Sequence, residues 1–178
     1  MTASLETRLA ALERDVALQR DHIAVRQVIA SYGPKVDTSD RIERARLLAE
    51  LWTEDGVYDI GGVARFEGRT AIAQAFESQH FGQVPEGVCH VFGLPYVKVD
   101  GDQAIALNYS VVMRPDDTRG DEGQRFFPWR VSMNRWQLVR CGDGRWRVRH
   151  RLNRLMQGHA ETLAALRDID ALAAGADL

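Results

Sequence analysis

Between Val88 and Leu155 the chain alternates β-rich stretches with aspartate–glycine turns. Residues 88–94 and 96–99 meet at Pro95, and Asp100-Gly101-Asp102 leads into a long apolar run over 104–113. Residues 126–140 carry Trp129, Val131, Met133, Trp136 and Leu138, and Cys141-Gly142-Asp143-Gly144 leads into a last stretch over 146–155. Turns of this composition supply the backbone angles that tight hairpins need. Consecutive antiparallel strands are therefore expected, with the polar, Asp- and Gly-rich segment 114–124 as a loop.

The first half is helical by pattern. Leu5, Leu9, Leu12 and Val16 are spaced 4, 3, 4, and Ile23 follows one heptad after Val16, with Gln19 as a polar gap. This is a heptad seam of under three repeats. It reads either as a helix lying on its own domain or as one that meets another subunit, and the gap at Gln19 favours the former. Val25, Val28 and Ile29 continue the helix until Gly33-Pro34 interrupts it. A second helix is expected over residues 42–51, capped from Thr38-Ser39-Asp40, and a third after Gly68-Arg69-Thr70 with Thr70 as its cap. Between them residues 57–60 and 63–67 form a hairpin through Gly61-Gly62. A last amphipathic helix is expected over residues 160–172. Helices segregated from antiparallel strands make an α+β fold. A strongly curved sheet wrapped round helices encloses an apolar pocket, which is a natural small-molecule site. The chain divides into an N-terminal amphipathic helix extension (1–22), the α+β domain (23–157) and a C-terminal helix and tail (158–178).

Size and charge exclude several alternatives. A chain of 178 residues buries roughly 70% of its unfolded surface and needs no disulfide or metal staple. Two cysteines, Cys89 and Cys141, are too few for a disulfide framework and read as free thiols. A net charge of −2 gives no reason to expect nucleic acid or an anionic membrane. Neither a signal-peptide core nor a membrane span is evident, so a cytoplasmic location is expected.

No nucleophile elbow, Walker loop, dinucleotide fingerprint or zinc-protease motif occurs, and no histidine has a short metal-ligand spacing to another His or Cys. No metal and no cofactor are expected. Cys89 and His90 are adjacent, so in a strand they face opposite ways. His90 alternates with Val88 and Phe92 and shares their face; if that face is interior, an imidazole sits in an apolar cavity. Taken singly, His90 reads as a core histidine, Asp37 as a turn residue and Tyr32 as a core aromatic. Arg145, Arg147, Arg149 and Arg151 alternate with Trp146, Val148 and His150 and read as a solvated or subunit-facing stripe.

A set of spaced motifs joins these residues. They are Ile23-x4-Val28-Ile29-x2-Tyr32-x4-Asp37, Leu51-Trp-Thr-Glu-Asp-Gly-Val-Tyr-Asp, Phe66-Glu-Gly-Arg-Thr-Ala-Ile, His90, Val99-Asp-Gly-Asp-Gln-Ala-Ile-Ala and Asp143-Gly-Arg-Trp-Arg-Val. In order and spacing the chain, from about Ile23 to Met156, resembles the SnoaL-like group of the nuclear transport factor 2 superfamily. Within that superfamily it is most similar to the bile acid 7α-dehydratase, γ-hexachlorocyclohexane dehydrochlorinase and scytalone dehydratase type of lyase. The resemblance implies a cone-shaped α+β barrel of curved antiparallel sheet around N-terminal helices. It also implies an Asp/His dyad of Asp37 and His90, with Tyr32 and Arg154 completing the catalytic group. Trp52, Tyr58, Phe92, Asn108 and Ser110 are the expected substrate-facing residues. A second pocket aspartate of the dehydratase has no counterpart, since Met113 and its neighbours stand there.

The implied activity is a cofactor-free, dehydratase-like elimination on a hydrophobic cyclic small molecule, with His90 as general base. The alternatives are an isomerase or polyketide cyclase using the same base, or a non-catalytic binding or accessory subunit. A homo-oligomer, dimer or trimer, is expected, with no nucleic-acid or membrane partner.

Overall fold

The computed structural model describes residues 4–38, 40–61, 63–78, 87–116 and 125–173. Helix α1 (Leu5–Ala30) starts at Ser4, whose hydroxyl accepts from the Thr7 amide. It runs unbroken through residue 22 and is tied to the sheet by Asp21, whose carboxylate accepts from Trp146 Nε1 at 3.3 Å and from Arg140 at 2.6 Å. The N-terminal part of the helix does not lie on its own domain: Leu5, Leu9, Leu12 and Val16 are exposed, and the buried residues are Val25 and Ile29.

The break in the helix comes at Ser31, not at Gly33-Pro34. A new helix, α2 (Tyr32–Thr38), begins one residue later. Pro34 therefore sits in a first turn, where a missing amide costs nothing. Helix α3 (Arg41–Ala49) is capped by the Asp40 carboxylate, which accepts from the amides of Ile42 and Glu43. Strand β1 (Trp52–Ile60) starts five residues earlier than the pattern suggests and pairs with β2 (Ala64–Glu67). Helix α4 (Arg69–Glu77) is preceded by Gly68 at φ +86° rather than capped by Thr70, and it buries Ile72, Ala75 and Phe76. Arg69 holds α4 to β1 by donating twice to the Trp52 carbonyl, at 3.0 and 2.6 Å.

Strands β3 (Cys89–Phe92) and β4 (Tyr96–Asp100) are two halves of one edge, pairing in succession with β5 (Gln103–Pro115). Strand β6 (Phe126–Arg140) and β7 (Trp146–Leu155) complete the sheet, and α5 (Ala160–Ala173) follows. Most of the expected loop 114–124 lies outside the described residues. The order β2-β1-β7-β6-β5-β3 is antiparallel except that β1 lies parallel to β7, so the sheet is mixed, curved and unclosed. Its concave face closes on the helices around Trp52, Trp136, Ile29, Leu48, Ile72 and Leu138, all under 2% exposed. Cys89 and Cys141 are free thiols. No helix among the described residues is long and apolar enough to cross a membrane.

Candidate acid–base site

The site begins with a close approach. Helix α2 lies on β3, and a Cβ at Gly33 would stand 2.5 Å from the His90 carbonyl oxygen. Only a glycine allows helix and strand to meet here. The contact carries Asp37, one turn further along α2, to His90. The Asp37 Oδ2 accepts from the His90 backbone amide at 2.7 Å, and Oδ1 lies 2.6 Å from His90 Nδ1. An ionised carboxylate only accepts, so Nδ1 carries the ring proton and Nε2 presents its lone pair. Both side chains are largely withdrawn from solvent, at 17% and 19% exposed.

His90 lines a cavity of about 250 Å³ with Tyr32, Tyr58, Phe76, Phe92 and Ser110 among its walls. The Tyr32 and Tyr58 hydroxyls lie 3.5 Å apart. Burial, with Tyr58 nearby, pushes the Tyr32 phenol well above its ordinary range, so it stays protonated and able to donate.

Arg151 also lines this cavity, and it is 2% exposed. Its guanidinium carbon stands 4.2 Å from the Tyr32 ring centre, 4.3 Å from Trp136 and 4.9 Å from Tyr58. Nε and Nη2 donate to Asn134 Oδ1 at 3.1 and 2.8 Å, while Nη1 is buried with no hydrogen-bond partner. Among the described residues no carboxylate pairs with Arg151. A buried cation faced by π-systems and one amide oxygen is an unsatisfied donor for a ligand oxygen or anion.

This arginine corrects two expectations. It is no part of a solvated stripe, and Arg154 does not face the cavity. The pairing of β6 with β7 slips at residue 149: Gln137 faces His150, and Leu138 faces Val148. The extra residue is a β-bulge, which exchanges inward and outward faces. Trp146 and Val148 point inward before it, and Arg151 does so after it. Arg154 instead pairs with Asp59 at 2.7 Å, beside a neighbouring cavity of about 470 Å³ next to α5 that shares Ile60, Val63, Arg130 and Asn153 with the first. Among the described residues lining that larger cavity, no imidazole–carboxylate contact occurs.

The expected substrate-facing residues divide as well. Tyr58, Phe92 and Ser110 line the smaller cavity. Trp52 is core, in edge contact with Tyr32 and tilted against Tyr58. Asn108 is spent on structure, accepting from Trp136 Nε1 at 2.9 Å and donating to the Gly93 carbonyl at 3.0 Å. Asn134, absent from the sequence reading, is fully buried; it accepts from Arg151 and from Asn153 at 2.9 Å and donates to Ser110 Oγ at 2.9 Å. No single-sequence pattern singles it out. Among the described residues no cluster of three or more His, Cys, Asp or Glu is arranged to hold a metal ion.

Residues 19–152 match the SnoaL-like domain. Among solved structures, an NTF2-like protein with a cystatin-like fold from Novosphingobium aromaticivorans is 37% identical with a TM-score of 0.74, over 93% of this chain and 99% of that one. Rv3472 of Mycobacterium tuberculosis, of unknown function, is 21% identical with a TM-score of 0.65, over 88% and 96% of the two chains. A candidate scytalone dehydratase from Novosphingobium aromaticivorans is 18% identical with a TM-score of 0.58, over 78% and 86%. At such identities the last two likenesses speak to the fold alone. No curated protein matches the sequence.

Proposed function

The chain belongs to the SnoaL-like domain family of the NTF2-like superfamily, and on that footing we propose that it is a cofactor-free lyase. It acts by elimination on a small ring compound that carries an oxygen or halide substituent. The observation that carries this reading is the two-point hold of Asp37 on His90. A carboxylate bonded to Nδ1–H stabilises the imidazolium that forms when Nε2 takes a proton, and it keeps the ring in one tautomer.

Nε2 removes a proton from carbon next to the bond that breaks, and the C–H electron pair becomes the new C=C bond as the leaving group departs with its own pair. A departing halide leaves as the anion. A departing hydroxide needs one proton, which the imidazolium supplies, so that water is released and the base is regenerated; after loss of a halide the imidazolium returns its proton to solvent. Charge building on the departing atom, or on a neighbouring carbonyl oxygen, is met by Arg151 Nη1, the buried donor without a partner. A cavity of about 250 Å³ falls below the roughly 300–1,000 Å³ of drug-sized sites, which favours one or two rings. The candidate scytalone dehydratase among the structural likenesses is consistent with elimination chemistry but does not specify it.

The test is a screen of β-hydroxy and β-halo ring compounds with the wild-type protein and His90→Gln. Release of water or halide with a new conjugated absorbance, lost in the variant, supports the lyase. Double-bond migration or ring closure without release assigns an isomerase or cyclase. Binding without turnover of any compound assigns a binding or accessory role.

A further inference from the structure

Helix α1 carries two apolar stripes on different faces. From Asp21 onward Val25, Val28 and Ile29 turn towards the sheet and are buried or partly buried. The heptad seam turns elsewhere: Leu5 is 79% exposed, Leu12 60% and Ile23 53%. With Leu9, Val16 and Ile23 at a, and Leu5, Leu12 and Gln19 at d, the buried positions fall at c, f and g. At 100° per residue the two stripes therefore point well apart. The seam is no overflow of the core, and nothing among the described residues covers it.

We propose that a second copy of this chain covers it, as a parallel, in-register two-stranded coiled coil over residues 5–23. Two independent features select that occupant and that orientation. The first is side-chain shape. Two of the three a positions are β-branched, and two of the three d positions are leucine, the arrangement that favours two parallel strands; Gln19 is a polar layer of the kind that fixes register. The second is charge. Positions g and e hold Arg8 and Asp15, and Glu6, Glu13 and Arg20. In a parallel pair each g faces the e of the partner's next heptad. Arg8 then meets the partner's Glu13, and Asp15 meets the partner's Arg20, each twice by symmetry. In the antiparallel register that stacks Leu9 on the partner's Leu12, Glu6 would meet the partner's Glu13 twice, a repulsion that offsets its Arg8–Asp15 pairs. None of these five charged residues has an ion-pair partner among the described residues, so all are free to make those contacts.

The experiment is light scattering on the full chain at micromolar concentration. Leu9→Glu with Leu12→Glu is expected to halve the measured mass while leaving circular dichroism bands and melting of the sheet domain in place. An unchanged mass overturns the proposal and assigns any dimer to another face, such as the exposed Tyr109, Phe127 and Trp129 on the sheet. A fall to one third overturns the two-stranded form. Orientation is read from charge reversal. Arg8→Glu and Glu13→Arg should each weaken the dimer by several-fold to roughly tenfold, and the two together should restore it. Failure of the double variant to recover overturns the parallel register. A Val16→Cys substitution in a chain with Cys89→Ser and Cys141→Ser should cross-link on mild oxidation, because parallel a positions face each other; absence of cross-linking overturns it too.

Discussion

At the scale of single residues, the site rests on one imidazole and on what holds it. His90→Gln removes the proposed base, and Asp37→Asn leaves the volume but removes the charge that would stabilise the imidazolium. Each is expected to lower kcat by roughly 10²–10⁴-fold. The double variant should be little worse than either single one, because the pair acts as a unit; additive losses would mean independent roles. Arg151 gives a sharper contrast. Its guanidinium is buried without a carboxylate, so Arg151→Met should leave the melting temperature unchanged or raise it. The same change should lower kcat/KM by roughly 10²–10³-fold through loss of the oxygen-binding donor. Arg151→Lys should not restore activity, since lysine lacks the planar group that stacks on Tyr32 and Trp136. A stability loss with activity retained would make Arg151 structural. His90 and Asp37 were legible as a pair only through the spacing of motifs, because each alone has an ordinary structural reading. Arg151 was not legible, since strand alternation put it outside.

At the scale of elements, two local irregularities build the cavity. Gly33 lets α2 seat on β3. Gly33→Ala must push the helix off the strand by several tenths of an ångström or more. The expected result is a loss of about 1–3 kcal/mol in stability from overpacking and a larger loss of activity, because the Asp37–His90 contact depends on that seat. Thermal melting beside turnover separates the two effects; a stable, fully active alanine variant would show that α2 has slack. The bulge at Arg149 is the second irregularity, and it turns Arg151 inward. The glycine looked like a helix breaker in the sequence, yet it is a packing requirement. A chain pattern records that a residue has no side chain, but not which neighbour occupies the space. A bulge leaves even less trace, because an extra residue in a strand is defined by the partner strand and not by its own sequence.

At the scale of the whole molecule, buried titrating groups set the pH range of the fold. Burial, reinforced by Arg65, holds His150 below its ordinary value of 6.5, and burial does the same for His22. Below about pH 6.5 the unfolded chain takes up protons that the folded one refuses, so stability falls as pH drops. Asp21 is held low by its bond to Arg140; at Asp59, burial is outweighed by Arg154 and Arg65. Their contribution is present above 3.8 and is lost as pH falls through the lowered folded values. At the other end, Tyr32 is raised well above 10.0, so its contribution is lost as pH climbs past 10. Melting temperature is therefore expected to decline as pH falls below about 6.5 and again as it climbs past about 10, with Lys35, lowered by burial, adding some stability as pH rises towards 10.5. His150→Gln should remove part of the first acid decline; an unchanged profile would locate that decline elsewhere. By itself the sequence determined the helices other than α2, the hairpin succession, the α+β class and the family, because periodicity, turn chemistry and motif spacing are properties of a chain read along its length. Only the tertiary structure decided that the heptad seam stays uncovered among the described residues, that β1 lies parallel to β7, and that Arg151 rather than Arg154 lines the smaller cavity. Those depend on which surfaces meet across the sheet, and a meeting between distant segments is set by register and packing, which no local pattern encodes.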